Sequence, residues 1–312
     1  MVALYVLLLV AVHEAFTFPL AFYQGFLLER RYGLSKESAI GWLADHLKAT
    51  ALGLLLSVGA AEVIYQSMRA SIVWWWMLSA AAFIVAIAGI TRLAPVVLLP
   101  LFYRFTPLAR ESLRDRLVSL SDRAGVPVLG VYEWALGEKS RRANAALVGT
   151  GSTRRILLSD TLLAEYSEDE IEVILAHEIA HHVHHDIRNA FVVESMLLLV
   201  AMCVGAVALG ISWPRLGLAG VSDVAGLPVI VLAGGLLSMI ATPMINAVSR
   251  RNERRADRFA LTLTRQPAAF ISAMKRLGTQ NLAEEHPSTL VLWLFHSHPP
   301  IEQRIEAARG FL

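Results

Sequence analysis

The stretch ILAHEIAHHVHHD, residues 174–186, sets five histidines, a glutamate and an aspartate within thirteen positions. On a helix, His177 and His181 are four apart and share a face, so both imidazoles can reach one ion. Glu178 follows the first histidine directly, where a carboxylate can face a water molecule at the same ion. This H-E-x-x-H spacing points to metal-assisted hydrolysis. The plain alternative is a polar helix end at a membrane surface. The residues around the motif, Ala176, Ile179, Ala180 and Val183, are uncharged, which fits a buried helix better.

A catalytic zinc of this kind takes a third protein ligand and leaves one position open. The chain holds a single cysteine, Cys203, inside an apolar run, so the ligand must be His, Asp or Glu. NERRADRFA places Glu253 and Asp257 four residues apart. Glu253 is the expected third ligand of one zinc ion per chain, and Asp257 is placed to accept a hydrogen bond from a ligand histidine. Such a pair in an Arg-rich stretch, taken alone, reads as a solvated charged face. His182, His184 and His185 are expected to face solvent or the interface, and Asp186 either supports a ligand or ends the helix.

These residues need elements to hold them. YSEDEIEVILAHEIAHH opens with Ser167 and Glu170 in a capping-box pattern, so the motif is predicted on a helix. LARESLRDRLVSLSDRAG predicts another, stopped at Gly125 and Pro127. VPVLGVYEW, NAALVGT and RRILLSDTLL read as strands. AVSRRNERRADRFALTLT has no Pro or Gly and is expected to continue the apolar helix before it.

With 55% hydrophobic and 17% charged residues, the chain is too apolar for a soluble domain. Five runs approach the roughly 20 residues that a spanning helix needs: 2–28, 49–68, 72–99, 189–213 and 227–249. The first lacks a basic leader and is read as a retained helix. Lys and Arg number 4, 1, 12, 1 and 10 in the successive segments between and after these runs, which puts 26 on one side and 2 on the other. The positive-inside rule makes the rich side cytoplasmic, so residues 101–188 and the tail share a compartment. His13, Glu14, Glu62 and Glu194 lie within or near spans, where an ionisable group marks an interior or functional position.

Six separated stretches, FYQGFLLERRYGLS, LPLFYRFTPL, ANAALVGTGSTRRILLSDTLL, VILAHEIAHHVHHD, NERRADRFA and HSHPPIEQRI, resemble the type I CAAX prenyl proteases, integral-membrane zinc metalloproteases related to HtpX. The resemblance implies a mainly α, multi-span membrane protein whose helices enclose a chamber. A cytoplasmic gluzincin-type domain with a small sheet would complete it. The organisation expected is 1–100 with three spans, 101–188 with the motif, 189–249 with two spans, and 250–312 completing the zinc site. Members typically carry seven spans, so a chain without the extreme N-terminal portion is implied.

By resemblance His177, His181 and Glu253 are zinc ligands and Glu178 the general base. Asn144 and His298 contact the scissile carbonyl, and Arg304 supports them. One departure is that Arg142 and Ala143 precede Asn144 where the family usually has His-Ser, which bears on substrate preference. The expected partners are a peptide or protein substrate, prenylated or membrane-associated, and the bilayer, with no nucleic acid. The competing readings are an HtpX-like protease that clears damaged membrane proteins and a non-catalytic membrane scaffold that holds zinc structurally.

Overall fold

The structure, a computed structural model, describes residues 1–137, 139–149, 151–282, 284 and 287–311, with residue 152 by its backbone alone. Among the described residues, five helices are long and apolar enough to cross a membrane. Three precede the sheet: α1 (Val2–Arg31), α2 (Ala39–Ala70) and α3 (Trp75–Phe102). Next come β1 (Phe105–Pro107), α4 (Glu111–Arg123), β2 (Gly130–Trp134), β3 (Ala145–Val148), β4 (Arg155–Ser159) and the short α5 (Asp160–Glu165). The motif helix α6 (Glu168–Val183) leads into the fourth long helix, α7 (Asp186–Ser212). The fifth, α8 (Leu227–Thr264), is followed by α9 (Pro267–Gln280), α10 (Thr289–Phe295) and α11 (Ile301–Arg309).

The chain divides into two compact units. One comprises 1–31, 37–91 and 190–241, the other 32–36, 92–189 and 242–312. In the first, Val6, Ile64, Tyr65, Met68, Trp75, Leu209 and Ile230 form the packed interior. Glu14, flagged in the sequence as ionisable, meets His46 Nε2 at 3.1 Å, and His46 stacks on Trp42. Both partners lie on helices, because α2 begins ten residues before the predicted span. Ser38 starts it there by accepting the Gly41 amide. Wide π turns at Tyr23–Leu28 and Ala94–Leu98 accompany Pro19 and Pro95, which each remove a helical N–H.

In the second unit a four-stranded sheet runs in the order β1-β2-β4-β3. β2 and β4 are parallel, while β1 and β3 pair antiparallel as the two edges. On α4, Leu113, Leu117 and Leu120 recur at helical spacing and are fully buried, each worth about 1.5–3 kcal/mol. They share one core with Ile156, Leu158, Ile171, Leu175 and Ile179. Gly125 turns the chain at φ 71°, as expected of the stop after α4. RRILLSDTLL is only half strand. Ser159 accepts the Leu162 amide, so DTLLAE starts a helix where a continued strand was predicted. β1, in RFTPL, carried no strand signal of its own.

The capping box of α6 is complete: Ser167 Oγ accepts from the Glu170 amide, and Glu170 Oε2 accepts from the Ser167 amide at 2.8 Å. Glu170 Oε1 also accepts from Ser272 of α9 at 2.6 Å. Burial works against this charge, but the bonds from Ser272 and Ser167 and the nearby Arg276 outweigh it and hold the carboxyl below its ordinary value. Its contribution to stability is therefore complete above the ordinary value of 4.5 and disappears as pH falls through the lower folded value. Glu170→Gln should cost about 1–3 kcal/mol at pH 7. In thermal denaturation of detergent-solubilised protein, the gap between wild type and variant should be full at pH 7 and should narrow below pH 4.5.

Candidate metal centre

Ile171 to His177 are buried without a break, so α6 carries its polar motif through the core of the second unit. His177 Nε2 and His181 Nε2 face each other at 3.4 Å. Glu253, from α8, brings Oε2 to 3.3 Å from the first and Oε1 to 3.5 Å from the second. One ligand atom from each of the three residues lies within 4.8 Å of the others, so the group can hold one metal ion.

The opposite ring nitrogens are also committed. His177 Nδ1 lies 2.9 Å from Asp257 Oδ1, and His181 Nδ1 lies 3.0 Å from Asp186 Oδ2. A carboxylate at Nδ1 fixes the tautomer that presents the Nε2 lone pair. Each carboxylate has its own cation. Arg304 grips Asp257 with Nε and Nη2 at 2.8 and 2.6 Å, and Arg255 bonds Asp186. Asp186 resolves a choice the sequence left open, because it both starts α7 and supports a histidine. His185, at φ 57°, makes the turn that brings it back.

With Asp257 and Asp186 balanced by arginines, Glu253 and Glu178 are left facing the imidazoles. Glu253 Oε2 is buried without a hydrogen bond of good geometry, although His177 and His298 are both close. Burial raises the Glu178 carboxyl above its usual range, opposed by His177 and His181. His177 is pulled down by burial but pushed up harder by Asp257 and Glu253, to about 9. Among the described residues, the two imidazoles thus sit against carboxylates that no arginine pairs with directly. A divalent cation held by His177, His181 and Glu253 would offset this negative charge and give the orphaned carboxylate oxygen a partner. The donor set of two imidazoles and a carboxylate, with an open position, is that of catalytic zinc.

The remaining predicted residues are less uniform. His298, on the loop before α11, points Nδ1 at Glu253 Oε2 from 2.9 Å, with its ring largely exposed. Arg304 reaches Asp257 and comes within 3.4 Å of His177 Nδ1, which places it behind that histidine. Asn144 is exposed, immediately before β3, its backbone N–H and C=O bonded to Ser159. No hydrogen bond or ion pair joins it to the metal cluster among the described residues. Of the three histidines expected to face solvent or the interface, His185 is exposed and His182 and His184 are half-buried. His184 packs edge-on against Phe259, and His182 Nε2 bonds the Leu147 carbonyl at 2.9 Å.

Two residues of this region escaped the sequence reading. On α8, Asn246, Arg250, Glu253 and Asp257 fall at helical spacing on one buried stripe. Asn246 and Arg250 donate to the carbonyls of Leu294, Leu292 and His296, tying down the segment that leads to His298. The signal was present as two polar residues running back from Glu253 into the apolar span.

The fold and the site together are those of a membrane protein that carries a candidate metal centre of the hydrolase type, and the comparisons place it. The chain belongs to peptidase family M48, whose profile matches residues 107–312. A second profile, described as CAAX prenyl protease N-terminal, five membrane helices, matches residues 1–104. An uncharacterized metalloprotease of Bacillus subtilis, YhfN, is 33% identical over 222 residues, 69% of this chain and 51% of that protein. A probable CAAX prenyl protease 1 of Schizosaccharomyces pombe is 30% identical over 294 residues, 93% of this chain and 61% of that protein. A protease HtpX homolog of Methanopyrus kandleri is 28% identical over 233 residues, 67% of this chain and 70% of that protein. The chain thus spans between half and two thirds of the length of the first two. The crystal structure of S. mikatae Ste24p shares the fold, with a TM-score of 0.85 over 96% of this chain and 74% of that one at 24% identity.

Asp186→Ala and Asp257→Asn should each weaken zinc retention by about 10- to 100-fold. Metal content after equilibration with graded chelator reads this directly, with helical content as the control for folding.

Proposed function

We propose that this protein is a zinc-dependent integral-membrane endopeptidase that cleaves prenylated or membrane-associated peptides on the cytoplasmic side. The observation that carries the reading is the convergence of His177, His181 and Glu253 on one point, each histidine oriented from behind by its own carboxylate. Zinc held there would supply Lewis acidity, activating water and polarising the scissile carbonyl.

The chain's own groups supply the rest. Glu178, its carboxyl raised by burial, is suited to take a proton from the attacking water at neutral pH and to deliver it to the leaving nitrogen. His298, exposed above Glu253, and Asn144, exposed at the start of β3, are available to donate to the carbonyl oxygen as charge develops. Arg304 holds Asp257, which holds His177, so its role in this reading is to orient a ligand. β3 is a sheet edge packed against the motif helix, and an extended peptide pairing with it would run close to that helix.

The relatives named as CAAX prenyl proteases favour a prenylated C-terminal substrate for this chain. The likeness to an HtpX homolog, together with Arg142 and Ala143 before Asn144, favours the second reading, a protease acting on membrane proteins at large. A non-catalytic scaffold fits less well. A structural zinc closes all four positions with protein ligands, whereas the described residues converge three.

Cleavage of a farnesylated CAAX peptide beside its unprenylated twin separates the readings. Strong preference for the farnesylated peptide supports the first, and equal cleavage the second. Glu178→Gln should retain zinc and lose about 10²- to 10⁴-fold in kcat. A variant with undiminished turnover would remove Glu178 from the mechanism. A C-terminal fusion to a reporter that folds only in the cytoplasm should be fluorescent. A dark fusion protein, present in the membrane, would reverse the topology.

A further inference from the structure

His182 has no part in the metal cluster, yet it is neither solvent-facing nor loosely held. It lies four residues after Glu178 on α6, so the two occupy one stripe of the helix, a turn apart. Its Nε2 reaches the carbonyl of Leu147 at 2.9 Å, and Leu147 is in β3.

The direction of that carbonyl follows from the register. Among the described residues β3 pairs with β4 alone, with Ala145 opposite Leu158, Ala146 opposite Leu157, Leu147 opposite Ile156 and Val148 opposite Arg155. Asn144 directs its carbonyl to the Ser159 amide across this pair. Backbone groups of an antiparallel strand alternate sides residue by residue. Ala146 and Val148 therefore point toward β4, and Ala145 and Leu147 point toward the open edge. A peptide adding to that edge would find the N–H and C=O of Ala145 and the N–H of Leu147. The next acceptor along the edge, the Leu147 carbonyl, is held by His182.

Strand addition is prone to slippage, and a slip of two residues keeps every side chain on its face while moving the scissile bond about 7 Å. A metal centre fixed to α6 cannot follow such a slip. We infer that His182 is a positioning residue that ends the pairable edge of β3 at Leu147 and ties that edge to the helix carrying Glu178, so that a bound peptide has one register relative to the metal centre. The substrate recognised is an extended peptide with free backbone donors and acceptors, and the selection acts on backbone register, independently of any prenyl group. This inference rests on the proposed peptidase reading and on strand addition at β3.

The test maps register in two ways. Cleavage products of one long unstructured peptide are identified by mass spectrometry for wild type, His182→Ala and His182→Gln. In parallel, the same peptide carrying a photo-reactive residue at successive positions is cross-linked to the Glu178→Gln protein, with and without His182→Ala, which reads register without turnover. Wild type should cut at one dominant bond. His182→Ala should lose about tenfold in selectivity for that bond, equivalent to about 1.4 kcal/mol, and gain cuts and cross-links displaced by two residues. His182→Gln keeps a donor and should restore much of the single register.

An unchanged cut site and cross-link pattern in His182→Ala, with zinc content equal to wild type, would overturn the inference. Loss of zinc and cleavage in both His182 variants would assign the residue to the integrity of the metal centre and would overturn it equally. Absence of cleavage by wild type with zinc bound would refute the peptidase reading itself, a result distinct from either.

Discussion

Burying carboxylates inside a helical protein is the constraint on which this structure turns. Glu253 and Asp257 lie on a single stripe of α8, nearly inaccessible to solvent, and a charge in that position is tolerated only when it is paired and hydrogen-bonded. Arg304 answers Asp257, and the two histidines of α6 answer Glu253. The same stripe reaches back to Arg250 and Asn246, which hold the backbone before His298. α6, α8, α10 and the start of α11 are thus connected by the need to satisfy one row of polar side chains.

The sheet contributes through its edge. β4 and β2 supply the buried centre, while β3 remains open on one side and bears on α6 through Ala145 and Leu147. An open edge is ordinarily a liability for association with other chains. Here it is short, four residues, and partly closed by His182, which restricts what can pair with it.

Much of this was legible in the sequence because it is local. The spacing of His177, Glu178 and His181 on one helix, the capping box at Ser167 and Glu170, and the pairing of Glu253 with Asp257 need only helical periodicity. The five long helices follow from apolar runs of sufficient length, and the continuation of α8 past residue 249 from the lack of a breaker. What was hidden depends on contacts between distant segments. The direction of Arg304 is set by where α11 packs, the partner of His182 by the register of β3, and the role of Asp186 by the left-handed turn at His185. The misplaced ends have local causes that compete with pattern: Ser38 extends α2 through a polar stretch, and Ser159 converts the end of a strand into a helix.

The carboxylates behind the two histidines come from different helices, Asp186 at the start of α7 and Asp257 well along α8, some seventy residues apart in the chain. Neither histidine is correctly oriented until its own helix has arrived. During synthesis and insertion the motif helix is made well before α8 emerges, so the nascent chain carries a complete H-E-x-x-H sequence with no assembled centre. The three-residue cluster therefore stays incomplete until Glu253 of α8 has joined the two histidines of α6.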